Sequence, residues 1–175
     1  MTSLAFFTVF VLLVGLERLA ELVVSTRNAR WSFARAGVEY GQGHYPVMVV
    51  LHTGLLVAAL AEAWLVRPTV PLALAASMVG LVLASQALRW WCVTTLGKQW
   101  NTRVIVVPSL TPVARGPYRV MAHPNYVAVV VEIFALPLVH AAWITAAVFT
   151  VLNAILLTLR IRVENAALAT LEPTS

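Results

Sequence analysis

The sequence predicts an all-α fold, a polytopic membrane bundle of about five transmembrane helices that ends in a C-terminal helical hairpin. Of the 175 residues, 61% are hydrophobic and only 11% are charged, against about 25% charged in a soluble domain. Mean hydropathy is +0.86. Apolar runs long enough for a bilayer core of ~30 Å, which takes ~20 helical residues, recur along the chain between short polar segments. The expected organisation is one membrane domain over 1–175. A three-span part fills 1–96, and a loop, a hairpin and a helix end fill 97–175.

Leu4–Val24 is the first expected span. Met1-Thr2-Ser3 lacks a basic start, the apolar run continues past Glu17-Arg18, and no small-x-small site follows cleanly. The segment therefore reads as a retained span rather than a signal peptide. Pro46–Val66 is the second span, with Pro46 suited to a first helical turn. Arg67-Pro68-Thr69-Val70-Pro71 is a short turn, and Val70–Leu96 is the third span. Tyr126–Leu159 is too long for one span and just long enough for two. Pro137, with His140 nearby, marks the expected turn between them. The terminal Glu172-Pro173-Thr174-Ser175 reads as frayed.

Basic residues set the orientation. Arg27, Arg30 and Arg35 follow the first span, Lys98, Arg103, Arg115 and Arg119 the third, and Arg160 and Arg162 the last. The opposite side offers little beyond Arg67. The positive-inside rule then puts these loops and the C-terminus in the cytoplasm and the N-terminus outside, so the polar clusters share one face. The net charge of +5 is dispersed. That fits attraction to membrane lipids, and no basic tract suited to nucleic acid is present. A single cysteine, Cys92, excludes an internal disulfide and a multi-thiolate metal centre. His44 and His52 are eight apart, two helical turns, which does not match a metal-binding pair.

Two polar clusters could carry chemistry. Gly116-Pro117-Tyr118 is followed by His123-Pro124-Asn125-Tyr126, where Pro124 suits the first turn of a helix and His123 stands near its N-cap. Amides at that helix start favour an anionic group, although a well-formed helix start would explain the same residues. Arg160 and Glu164 are four apart and share a helix face. They read either as an ion pair at a helix end, with arginine snorkelling to the interface, or as a site in which Arg160 meets a substrate and Glu164 a cofactor. Glu17, Arg18 and Glu21 lie inside the first span and have Arg89 and Arg103 as candidate partners. Glu62 reads as structural. Trp90, Trp91 and Trp100 read as interfacial anchors, one of which could line a lipid groove.

These motifs together resemble the isoprenylcysteine carboxyl methyltransferase family, membrane enzymes that use S-adenosylmethionine. The resemblance covers Leu88 to Leu168. It implies that Leu110, Thr111, Pro112 and Val113 meet the cofactor through backbone. It also implies that the segment Gly116, Tyr118, His123, Pro124, Asn125 and Tyr126 encloses it, that Glu164 binds it, and that Arg160 meets the acceptor beside the transferred methyl. The family commonly has arginine before His-Pro; Ala122 stands there in this chain, with Arg119 available nearby. Glu17-Arg18, Glu21, Arg27-Asn28, Gly37, Glu39, His44-Tyr45, His52 and Trp100-Asn101-Thr102-Arg103 look like one bacterial branch. Its members O-methylate alkylpyrones or alkylresorcinols and accompany type III polyketide synthases. The resemblance therefore implies a lipophilic small-molecule acceptor and a functional link to such a synthase. The other readings are methylation of a prenylcysteine carboxylate or a phospholipid amine, an NADPH-dependent sterol-type reductase, and a non-enzymatic lipid-binding subunit.

Overall fold

The computed structural model describes residues 2–171; the segment read as frayed, 172–175, lies outside them. In chain order the elements are α1 (Thr2–Phe33), β1 (Val38–Tyr40), α2 (His44–Val66), α3 (Leu72–Leu96), β2 (Val104–Val106), α4 (Pro124–Leu138) and α5 (Trp143–Ala169). Short 3-10 turns at Gly97–Gln99 and Gly116–Arg119 shape the loops around β2.

The expectation of about five spans is corrected. Among the described residues, three helices are long and apolar enough to cross a bilayer: His44–Val66, Leu72–Gln99 and Trp143–Ala169. α1 is long, but it carries Glu17, Arg18 and Glu21 near its middle and Arg27 and Arg30 toward its end. α4 has 15 residues, about 22 Å of helix against a ~30 Å core. The stretch expected to form two short membrane helices is split into one of 15 residues and one of 27. α4 runs through Pro137 and stops at Leu138, while α5 extends to Ala169. Pro137 has no N–H to give to the Ile133 carbonyl, the helix stops one residue later, and Ala141, at φ 52°, redirects the chain.

α1 also outruns its expected end at Val24. Its added turns carry Ser25 and Asn28, whose side chains grip the loop after α3. Ser25 Oγ donates to Asn101 Oδ1 at 2.7 Å, and Asn28 Nδ2 donates to the Trp100 carbonyl at 2.8 Å. β1 and β2 pair antiparallel, Val38 opposite Val106 and Tyr40 opposite Val104, in a small ribbon that the periodicity did not announce. Arg103 pairs with Glu39 at 3.3 Å across it.

α4 is the most enclosed helix and packs between α3 and α5. One apolar cluster joins Phe7, Val11, Ala59, Val82, Leu136 and their neighbours; a second joins Leu51, Leu55, Val129, Ile133 and Leu156. Burial of such side chains contributes about 1.5–3 kcal/mol each in water; between helices in lipid, close packing carries more of the association. At the end of the bundle away from the polar loops, Glu62 caps α5 from α2. Its carboxylate accepts from the Ile144 and Thr145 amides at 3.0 and 2.7 Å and from the Thr145 hydroxyl at 2.7 Å. Those amides have no partner within their own helix, so the structural reading of Glu62 has a specific cause.

Candidate functional site

The Gly116-Pro117-Tyr118 turn is fixed by backbone geometry. Gly116 has φ +57°, and a Cβ there would lie 2.5 Å from Thr95 Oγ1, so only glycine fits against α3. The turn places Tyr118 at the wall of a 270 Å³ cavity. Leu110, Pro112, Val113, His123, Asn125, Tyr126, Arg160 and Glu164 also line it. Of the other residues predicted for the site, Thr111 is exposed beside it, Gly116 packs on Thr95, and Pro124 is buried in the first turn of α4.

α4 and α5 present their motif residues to each other. The Tyr126 hydroxyl donates to Glu164 Oε2, and Arg160 Nε donates to the same hydroxyl at 3.0 Å. Among the described residues, Arg160 and Glu164 form no direct ion pair. Tyr126 stands between them, which disfavours the simple helix-end pair. His123 Nδ1 lies 3.5 Å from Glu164 Oε1, its Nε2 meets Asn165 Oδ1 at 3.0 Å, and its ring stacks on Tyr126 at 5.3 Å. The bond to Glu164 pushes the His123 pKa up against the opposing effect of burial. Burial raises that of the Tyr118 phenol. Arg160 also donates to the Thr102 carbonyl and reaches Met48 Sδ at 2.9 Å. Its guanidinium is thereby aimed rather than free to snorkel.

A second cavity, of 590 Å³, adjoins the first. It is mainly apolar, with Leu12, Leu16, Leu19 and Val57 exposed along its outer wall. Trp100, Asn125, Tyr126 and Arg160 line both cavities. Trp100 is 3% exposed. It lines both spaces and is not an interfacial anchor; Trp90 and Trp91 are the exposed pair.

Deeper in the second cavity lies a charged layer. Glu132 Oε2 accepts from Arg18 and, at 2.6 Å, from Arg89, while Glu21 accepts from Arg18 at 2.6 Å and pairs with Arg89 at 3.2 Å. Gln86 donates to Glu17 at 3.2 Å. The pairing expected for the Glu17/Arg18/Glu21 group is thus found with Arg89; Arg103 goes to Glu39 instead. Sequence reasoning passed over Glu132. The available signal was its isolation, since it is the one charged residue between Tyr126 and Leu159, and an ionisable group in such a run calls for a partner. It also passed over Thr102 as the carbonyl partner of Arg160, and over Met48 and Asn165, because those contacts are non-local.

A cavity lined by the motif residues and joined through Trp100, Asn125, Tyr126 and Arg160 to a larger, mainly apolar cavity defines a class of protein: one whose site lets a polar group and a lipid meet. Residues 78–170 match the family model described as the isoprenylcysteine carboxyl methyltransferase (ICMT) family. The chain belongs to this family, whose members are S-adenosylmethionine-dependent methyltransferases acting on lipophilic groups. It is also similar to a Bacillus subtilis protein, "Uncharacterized protein YpbQ", at 34% identity over 93% of this chain and 96% of that one. A Haemophilus influenzae protein, "Uncharacterized protein", is 24% identical over 90% of this chain and 92% of its own length. No solved structure matches.

Proposed function

We propose that the protein transfers a methyl group to an oxygen anion carried on an apolar tail. The observation that carries this reading is that Arg160 and Tyr126 line both cavities. The cofactor's place is the cavity walled by Leu110, Pro112, Val113, Tyr118, His123, Asn125 and Glu164. Two features fit it. Glu164 is a carboxylate held by Tyr126 and His123 and suited to an ammonium group. Asn125 Oδ1 is buried with no hydrogen-bond partner among the described residues, and so is an acceptor awaiting a donor. S-adenosylmethionine supplies an electrophilic methyl group when bound.

The chain's own work is alignment and electrostatics. Arg160, held by Tyr126 and the Thr102 carbonyl, offers its charge to an acceptor oxygen at the junction. A cation there disfavours a phospholipid ammonium. Among the described residues, Arg160 hydrogen-bonds to Tyr126, the Thr102 carbonyl and Met48, and no carboxylate or imidazole pairs with it directly. A carboxylate needs no base, being ionised above about pH 4. The prenylcysteine-type carboxylate suggested by the family description therefore leads. The enol of an alkylpyrone or the phenol of an alkylresorcinol comes second, supported by the N-terminal likeness that builds the loop behind Arg160. A functional link to a type III polyketide synthase belongs to that second acceptor. The basic residues Arg27, Arg30, Arg35, Lys98, Arg115 and Arg162 support placing this end of the bundle in the cytoplasm.

The test is a labelled-methyl assay of the purified protein with prenylcysteine, alkylpyrone, alkylresorcinol and phosphatidylethanolamine side by side. Transfer to one of the oxygen acceptors is expected. Arg160→Ala should lose kcat more than cofactor affinity, and Arg160→Lys should rescue only in part because a point charge cannot replace the planar fork. Transfer to phosphatidylethanolamine alone would defeat the oxygen-anion reading.

A further inference from the structure

Trp100 carries a polar group that the fold leaves unused. Its side chain is 3% exposed, and its indole Nε1 is buried with no hydrogen-bond partner among the described residues. An N–H left unpaired and out of reach of water is unfavourable, so the position calls for a ligand atom. An indole can only donate, so that atom is an acceptor. The loop that carries Trp100 is held to α1 and to its own turn. The Trp100 carbonyl accepts from Asn28 Nδ2 at 2.8 Å, its amide donates to the Gly97 carbonyl at 3.1 Å, and the Thr102 amide donates to Ser25 Oγ at 3.0 Å.

The surroundings of the indole point to the lipid rather than the cofactor. Trp100 lines both cavities, as Arg160 does, whereas His123, Glu164 and Asn101 line the first and not the second. The first cavity has a donor of its own. Asn101 Oδ1 accepts from the Arg103 amide at 3.3 Å, which fixes the side chain's orientation, and Asn101 Nδ2 is buried without a partner among the described residues. Trp100 also stands two residues before Thr102, whose carbonyl holds Arg160 Nη2. Arg160, like the indole, has only donors. We propose that Trp100 Nε1 is a second anchor for the acceptor lipid, donating to one oxygen of a carboxylate whose charge Arg160 balances. This rests on the reading of Arg160 as the residue that meets the acceptor. As the fold stands Nε1 is covered, so the ligand reaches it by a small turn of the indole into the cavity space that its ring walls. A carboxylate has about four lone-pair sites, so one oxygen can be held while the other gives a lone pair to the methyl. The methyl–sulfur bond breaks with its pair left on sulfur, and the held oxygen becomes the ester carbonyl. A phenolate has a single oxygen for all these tasks, and a lipid ammonium has no lone pair for the indole.

The test is magnetic resonance of the full-length protein in nanodiscs, with the indole nitrogens of its six tryptophans labelled. Trp100→Phe assigns the Trp100 signal by its loss. Prenylcysteine should move that indole proton downfield, as a new hydrogen bond does, and neither its decarboxylated analogue nor S-adenosylhomocysteine should. Trp100→Phe should bind prenylcysteine roughly tenfold or more weakly, the worth of a hydrogen bond to a charged group, and S-adenosylhomocysteine within about twofold of native. Benzothienylalanine at position 100 keeps the ring shape and lacks the N–H; it should do the same, and it serves if phenylalanine disturbs packing. A downfield shift with S-adenosylhomocysteine alone gives the donor to the cofactor and overturns the inference. So does an equal shift with the decarboxylated analogue, native affinity for prenylcysteine in either variant, or no binding of prenylcysteine. Methyl transfer to an oxygen acceptor without the shift defeats this inference alone. The shift in a protein that methylates none of the four assay acceptors defeats the methyl-transfer reading and leaves this one standing.

Discussion

Replacing Glu164 with glutamine removes one charge from the cofactor cavity and almost nothing else. The Tyr126 hydroxyl donates to Glu164 Oε2, and His123 Nδ1 stands 3.5 Å from Oε1. A glutamine oxygen can still accept from Tyr126, so the α4–α5 contact survives. Two things are lost: the attraction for His123 in its protonated form, and the charge offered to an ammonium group. A hydrogen bond to a charged group is worth about 1.5–3 kcal/mol, or roughly 10- to 150-fold in Kd. Calorimetric titration of S-adenosylhomocysteine, which retains that ammonium, should show a loss in this range for Glu164→Gln. Glu164→Ala should lose at least as much, because Tyr126 and His123 are then left without their acceptor. An affinity within twofold of native in a folded Glu164→Gln protein would refute the reasoning and remove Glu164 from the site.

Glu132→Ala should destabilise the bundle by about 3–5 kcal/mol, the cost of stranding a buried charge, because Arg18 and Arg89 would then share Glu21 alone; a thermal midpoint within a degree of native contradicts this. His123 has a folded pKa raised by its bond to Glu164, so the stability it adds is fully present below about pH 6.5, its unfolded value, and is lost as pH rises through the higher folded value. The difference in thermal midpoint between native and His123→Asn should therefore be largest in mild acid and shrink toward alkaline pH, and a difference growing with pH would reverse the assignment. A single cysteine at Ser175, outside the described residues, tests orientation in a Cys92→Ala background. It should label only after cells are permeabilised, and labelling from outside intact cells would overturn the cytoplasmic placement.

What was legible in the sequence was mostly local. α2 and α3 follow from long, mainly apolar runs bounded by Pro46 and by the Arg67–Pro71 turn, and they lie within two residues of expectation. The convergence of His123, Tyr126, Arg160 and Glu164 followed from motif likeness. Helix periodicity alone could align Arg160 with Glu164 but could not put the Tyr126 hydroxyl between them. The overcount of spans came from treating apolar length as sufficient. α1 spends polar residues on Glu132, Arg89 and the Trp100–Thr102 loop, and α4 is short because the chain turns just after Pro137. The β1–β2 ribbon was illegible because each strand has three residues and its partner lies more than sixty residues away.

The cap that Glu62 places on α5 bears on how the chain is made. Glu62 is synthesised 82 residues before Ile144, the first amide it receives. Until then the α2 carboxylate, at the end of the bundle away from the polar loops, lacks the α5 amides it binds in the finished fold. A nascent or truncated chain that stops before α5 therefore keeps an exposed acidic mark, and completion of the last helix erases it. Arrival of the helix that carries Arg160 thus closes a contact at the far end of the bundle from the site.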